Sequence, residues 1–344
     1  MCTPIVENNR APVPGLSQRV DRALADFFDS KASVFTDPPE LTPIFDGIRD
    51  FVLSGGKRLR PLFCYQGWRG AGGAEDDDAI IVAAASLELF HAFALIHDDI
   101  MDDSKTRRGR PSLHRTLGVP LGILSGDLCL TWSQEMLDTC GLPAARIREA
   151  QAVRHHMHTE LMTGQALDLL DQTSGDSLAR ALTIIRYKTG KYTVERPLHI
   201  GAVLAGAEPE LLRAFTNFGI PLGEAFQLRD DLLGVFGDPA VTGKSTMDDL
   251  RDGKPTVLIT MARREATPAQ AGRIRALYGK PDLGQDEAGL LREVIAATGA
   301  PATVEQMIVQ RTARALAALD HAPITDAARA DLRGLTHAAT SRAA

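Results

Sequence analysis

Ser86-Leu-Glu-Leu-Phe90-His91-Ala-Phe93-Ala94-Leu-Ile-His97-Asp98-Asp99-Ile-Met-Asp102-Asp103-Ser-Lys-Thr-Arg107-Arg108-Gly-Arg-Pro-Ser-Leu-His114 decides how the rest of the chain is read. From Ile80 onward the run is almost uncharged, which suits a buried helix, and it ends in four aspartates. On a helix, Asp98 and Asp102 lie four apart, as do Asp99 and Asp103, so the carboxylates cluster. Like charges at that spacing repel, and negative charge at a helix C-terminus opposes the macrodipole. Something cationic must offset both. Carboxylates are hard oxygen ligands and no Cys/His set of zinc spacing accompanies them, so Mg²⁺ shared with a polyphosphate is the natural partner. Arg107 and Arg108 follow at once and suit phosphate oxygens.

Working outward, Gly56-Lys57-Arg58-Leu59-Arg60-Pro61 places basic side chains at a helix N-terminus, a favourable position for an anion. Downstream, Gln165 and Asp168 share a helix face. Tyr187-Lys188-Thr189-Gly190-Lys191 reads as a helix end rich in lysine. Leu211 to Gly234 repeats the opening theme, with Gln227, Asp230 and Asp231 at the C-terminal end of an apolar helix. Two acidic clusters of this kind strengthen the metal reading beyond either alone.

These motifs, in this order from about Ile44 to Leu258, resemble the trans-isoprenyl diphosphate synthase (polyprenyl synthetase) family, and within it the short-chain geranylgeranyl diphosphate synthases most. The resemblance implies an all-α fold, a single domain of ten or more helices around a deep central cleft, acting as a homodimer. It implies Mg²⁺, three ions per active site, held by Asp98, Asp102 and Asp230, with Asp99 and Asp231 beside them. Lys57, Arg60, His91 and Arg108 then bind isopentenyl diphosphate. Arg107, Lys188, Lys244 and Lys254 grip the allylic diphosphate, while Thr189 and Gln227 face the allylic cation. The reaction implied is head-to-tail condensation of the two diphosphates, the departing diphosphate itself taking the proton. The second motif departs from the family pattern FQxxDDxxD: Gly234 stands where the third Asp belongs, and Asp238 or water is left as its substitute.

Phe93 lies five residues before Asp98, about 7.5 Å along the helix axis, and Phe90 about 12 Å. With Ala94 following Phe93 and no insertion between Asp99 and Asp102, the resemblance points to geranylgeranyl diphosphate, with farnesyl diphosphate the alternative. A class I terpene cyclase and an HD-type phosphohydrolase, the latter suggested by His97-Asp98 and His155-His156, account for fewer of the motifs.

Composition is consistent with this reading. In 344 residues, 44% hydrophobic content with only 5% aromatic favours helix over sheet. A formal charge of −6 argues against a nucleic-acid partner. The cysteines (Cys2, Cys64, Cys129 and Cys140) have no framework spacing and suit a reduced, cytoplasmic setting. The apolar run before Asp98 carries Glu88, His91 and His97, which favours a helical core over a membrane span. Residues 1–15 are expected to be a disordered arm, 16–320 the synthase domain, and 321–344 a loosely structured tail.

Overall fold

The computed structural model describes residues 15–174, 177–238 and 246–341, apart from the side chains of 171–174 and 248. They are helical almost throughout, as the composition predicts, and form two compact units. The first takes in residues up to 152 with 197–208 and 324–331; the second comprises 153–196, 209–323 and 332 onward.

The first unit contains α1 (Leu16–Lys31), α2 (Thr42–Leu53), α3 (Leu59–Gly70) and α4 (Asp78–Met101). A two-stranded ribbon follows, β1 (Thr106–Arg107) against β2 (Arg110–Pro111), then α5 (Leu113–Leu117) and α6 (Val119–Asp138). Helix α4 starts on an N-cap, with Asp77 accepting from the Ala79 amide at 2.8 Å. It is long and apolar enough to cross a membrane, yet it is mostly buried: Ile80, Leu87, Leu89, Phe90 and Ile96 are all 0–1% exposed. It is a core helix, flanked by α6, α3 and α1. An aromatic cluster fixes the other wall, with Phe28 and Phe45 edge-on to Trp132 of α6.

One basic residue of the first unit is structural. Arg58 is buried and donates to Asp21 (2.8 Å), Glu88 (2.7 Å) and the Val52 carbonyl (2.9 Å). A guanidinium with three such partners is committed to the fold, so the basic run divides: Arg58 turns inward while Lys57 is exposed and Arg60 half-buried.

The second unit holds α8 (Leu178–Ile185), a π-helix (Arg186–Glu195), α10 (Pro209–Phe236), α11 (Thr246–Asp252) and α12 (Val257–Glu265). They are followed by α13 (Pro268–Leu277), α14 (Gln285–Ala297) and α15 (Ala300–Asp320). Its core gathers Ala225, Leu228 and Leu232 of α10 with Leu250, Val257, Leu258, Leu291, Ile295 and Ile308. Helices α7 (Ala144–Ser174), α9 (Arg196–Leu204) and α16 (Asp326–Thr340) each have residues in both units.

The loosely structured tail expected after residue 320 is corrected by α16. Its Ala-rich pattern conceals an apolar face, with Ala328 and Leu332 fully buried and Leu335 6% exposed. Burial of that face, rather than propensity, makes the segment a helix. The arm expected over residues 1–15 lies outside the described residues except for its last.

Candidate active site

In the first unit the end of α4 divides its carboxylates between two tasks. Asp98 and Asp102 are half-buried and accessible to a ligand. Asp99 faces inward at 1% exposure, and its Oδ1 accepts from Arg107, from Nε at 2.9 Å and from the terminal nitrogen as well. Burial pushes the Asp99 carboxyl up, and the Arg107 guanidinium works against that rise. Its Oδ2 is buried with no hydrogen-bond partner.

The ribbon that delivers Arg107 was not legible as strand periodicity, since each strand has only two residues. It closes through Arg108 (φ 53°) and Gly109 (φ 75°), both left-handed, as a two-residue hairpin of type I′ requires. The turn throws Arg108 the other way. Its NH1 donates to the Gly55 carbonyl at 2.7 Å, so the hairpin is fastened to the loop that leads into Lys57. His91, on α4, completes this group. Its imidazole is held well below its ordinary value by burial and then by Arg60, Arg108, Arg107 and Arg58. A neutral imidazole surrounded by guanidinium groups is an arrangement that favours an anion.

One turn nearer the middle of α4, the Phe93 ring stands edge-on to His97 with centroids 4.8 Å apart. Phe90 lies behind it, fully buried, at 5.4 Å. Ala94 is half-buried. His97 Nε2 lies 3.1 Å from the Ile123 carbonyl. A Cβ on Gly126 of α6 would lie 2.3 Å from the edge of the His97 ring, so that glycine is what lets α6 close on α4.

In the second unit the π-helix carries Lys188 and Thr189. A π-helical turn shifts the register of side chains relative to an α-helix and is frequent at functional sites. Lys188 Nζ donates to Asp168 at 2.6 Å, which joins it to the Gln165/Asp168 face of α7. Thr189 Oγ1 donates to Gln227 Oε1 (2.8 Å), and Gln227 Nε2 to Asp231 Oδ1 (3.0 Å). Asp231 is 9% exposed and its Oδ2 is buried without a partner. Burial, with the charges of Asp230 and Asp249 added, pushes its carboxyl up to about 7 against the pull of Gln227. Asp230 is half-buried and accessible. Lys254 anchors its loop through its carbonyl, which accepts from the Tyr278 hydroxyl at 2.7 Å. Lys244 lies outside the described residues.

Among the described residues no three His, Cys, Asp or Glu side chains are drawn together around one point. The donors nevertheless fit magnesium: accessible carboxylates one helical turn apart in Asp98 and Asp102, and an orphaned buried carboxylate oxygen beside the accessible Asp230. Sequence reasoning passed over Glu88, the buried partner of Arg58, and gave Asp249 no role. The signal for Asp249 was available, because an acidic run follows a motif that has lost a carboxylate.

A family model described as polyprenyl synthetase matches residues 43–295. The geranylfarnesyl diphosphate synthase of Aeropyrum pernix is 37% identical over 288 residues, 83% of this chain and 89% of that protein. The geranylgeranyl diphosphate synthase of Sulfolobus acidocaldarius is 35% identical, covering 67% of this chain and 68% of that one. A geranylgeranyl pyrophosphate synthase from Corynebacterium glutamicum, solved with isoprenyl diphosphate and magnesium, superposes with a TM-score of 0.91. It shares 40% identity over 96% of this chain and 99% of that chain.

Proposed function

Because this chain belongs to the polyprenyl synthetase family, we propose that it condenses isopentenyl diphosphate head-to-tail with an allylic diphosphate, making geranylgeranyl diphosphate. The observation that carries this reading is the convergence, within the first unit, of Arg60, His91, Arg107 and Arg108 from three separate stretches of sequence. A cluster of guanidinium groups beside accessible carboxylates suits one diphosphate bound directly and another bound through metal.

Asp98, Asp102 and Asp230 would hold Mg²⁺, three ions in all, with Asp231 beside Asp230 and Asp99 orienting Arg107. When bound, the metal neutralises charge on the leaving diphosphate. Lys57, Arg60, His91 and Arg108 bind isopentenyl diphosphate. Arg107, Lys188, Lys244 and Lys254 hold the allylic diphosphate. As the allylic C1–O bond breaks, the Thr189–Gln227 pair turns its oxygens toward the carbocation. The isopentenyl double bond attacks C1, and the proton then lost from isopentenyl C2 passes to the released diphosphate.

The growing chain runs beside α4 toward Phe93 and Phe90, with Ala94 leaving room. Val119, Ile123 and Leu124 leave an apolar face of α6 43–55% exposed, and a second copy of the chain covers it. The setting is cytoplasmic.

The test is to incubate the purified protein with dimethylallyl or farnesyl diphosphate, isopentenyl diphosphate and Mg²⁺, and to size the product. Twenty carbons are expected, and absence of any condensation overturns the reading. Lys57→Ala or Arg60→Ala should raise the isopentenyl KM more than the allylic KM. Ala94→Phe should shorten the product and Phe93→Ala lengthen it. An unchanged product distribution in both variants would place the stop on another helix.

A further inference from the structure

Gly234 occupies the position where the second acidic motif lacks its third carboxylate. The space its missing side chain leaves is taken by another residue. A Cβ built on Gly234 would land in the Asp249 carboxylate, overlapping Oδ2 and lying 3.0 Å from Cγ. Asp249 comes from α11, thirteen residues or more beyond the end of α10 in sequence. Its placement is not that of a loose loop tip. The neighbouring Leu250 is fully buried and Met247 is 7% exposed. Arg292 ties the two helices together, donating to Thr246 Oγ1 at 2.7 Å and to the Val235 carbonyl at 2.8 Å. Arg251 donates to the Leu283 carbonyl at 2.7 Å, and the Gly279 amide to the Leu250 carbonyl at 2.9 Å. The far side of α11 is therefore anchored while Asp249 itself is exposed to a ligand.

A second observation points to a ligand at the same place. Asp231 is buried and its Oδ2 has no hydrogen-bond partner. Gly234 follows Asp230 by four residues and Asp231 by three, so the Asp249 carboxylate seated against it lies on their face of α10, where a hard divalent cation suits the orphaned oxygen. Asp238, the other carboxylate near the end of α10, is exposed beyond the helix.

We propose that Asp249 supplies the third carboxylate of the second metal cluster, seated in the space that glycine at position 234 leaves open. The inference rests on the prenyl diphosphate synthase reading, which implies the metal, and adds a ligand from a different helix. It also gives Gly234 a defined role: any side chain there must expel Asp249.

The test measures the melting temperature of the full chain against Mg²⁺ concentration at fixed inorganic diphosphate, for four proteins beside wild type. Asp249→Ala and the isosteric Asp249→Asn should raise the Mg²⁺ midpoint about 10–100-fold, the range found when a group supporting a metal is removed. Gly234→Ala should do the same without touching a carboxylate. The double variant Gly234→Asp/Asp249→Ala should recover the wild-type midpoint. Melting in EDTA reports on folding, and Asp249→Asn keeps the side-chain shape if Asp249→Ala melts early. Wild-type midpoints in both Asp249 variants, or no recovery in the double variant, overturn the proposal. Loss of prenyl transfer by wild type with the midpoint differences intact would count against the parent reading and leave this one standing.

Discussion

Two helices of this protein, α4 and α10, carry Asp-Asp in their last two turns, and the two ends are compensated by different means. In each, the second aspartate turns inward and keeps a buried Oδ2 without a partner. At the end of α4 the other oxygen is gripped by Arg107 from a hairpin eight residues away. At the end of α10 the corresponding oxygen accepts from the Gln227 amide. A guanidinium cancels a buried charge, whereas an amide only solvates it. Asp231 is therefore the carboxylate pushed up to about 7, and its compensation rests on an amide with a threonine hydroxyl behind it. The same motif gives one pair compensated by arginine and one by an amide.

The largest expected effect treats the ends alike. Asp98→Ala and Asp230→Ala should each lower turnover by about 10²–10³, the usual loss when an electrostatic element of the transition state is removed. Steady-state kinetics that left either variant near wild type would remove that end from the catalytic assignment.

The next effect should separate the ends by sign. Asp99→Asn strands Arg107 and should destabilise the protein by about 1.5–3 kcal/mol, the worth of hydrogen bonds to a charged group. Asp231→Asn should stabilise the EDTA-treated protein at pH 8. A carboxyl whose folded pKa is raised to about 7 from an unfolded value of about 3.9 contributes stability below the lower value. That contribution is lost as pH rises through 7. Between pH 5 and pH 8 the wild type should thus lose about 2–3 kcal/mol that the Asn variant keeps. Denaturant melts at the two pH values would show it, and parallel curves would refute the contrast.

A smaller effect concerns the glycine beside α4. Gly126→Ala drives a methyl into the His97 ring, and overpacking of this sort costs about 1–3 kcal/mol. A melting temperature unchanged from wild type would mean that the ring swings aside freely. The smallest effect belongs to Arg115, paired at 2.7 Å with Asp103, which is 80% exposed. Arg115→Ala should change stability by no more than about 1 kcal/mol, as surface ion pairs do.

Much of this was legible in the residues. The helical class and the core character of the helix before Asp98 follow from apolar patterning and motif order. Those depend on local spacing, where a helix of 3.6 residues per turn fixes which side chains share a face. What the sequence could not separate was residues of one chemical type doing different work. Arg58 and Arg60 are two apart, yet one is spent on Glu88 and Asp21 within the fold. Asp98 and Asp99 are adjacent, yet one is half-buried and the other sealed against Arg107. Which partner a charge meets is set by contacts distant in sequence, because a buried charge is tolerated only where the tertiary structure brings an opposite group to it. The same holds for Gly234. In sequence it is a missing ligand; only the packing of α11 against the end of α10 makes it the space that Asp249 fills.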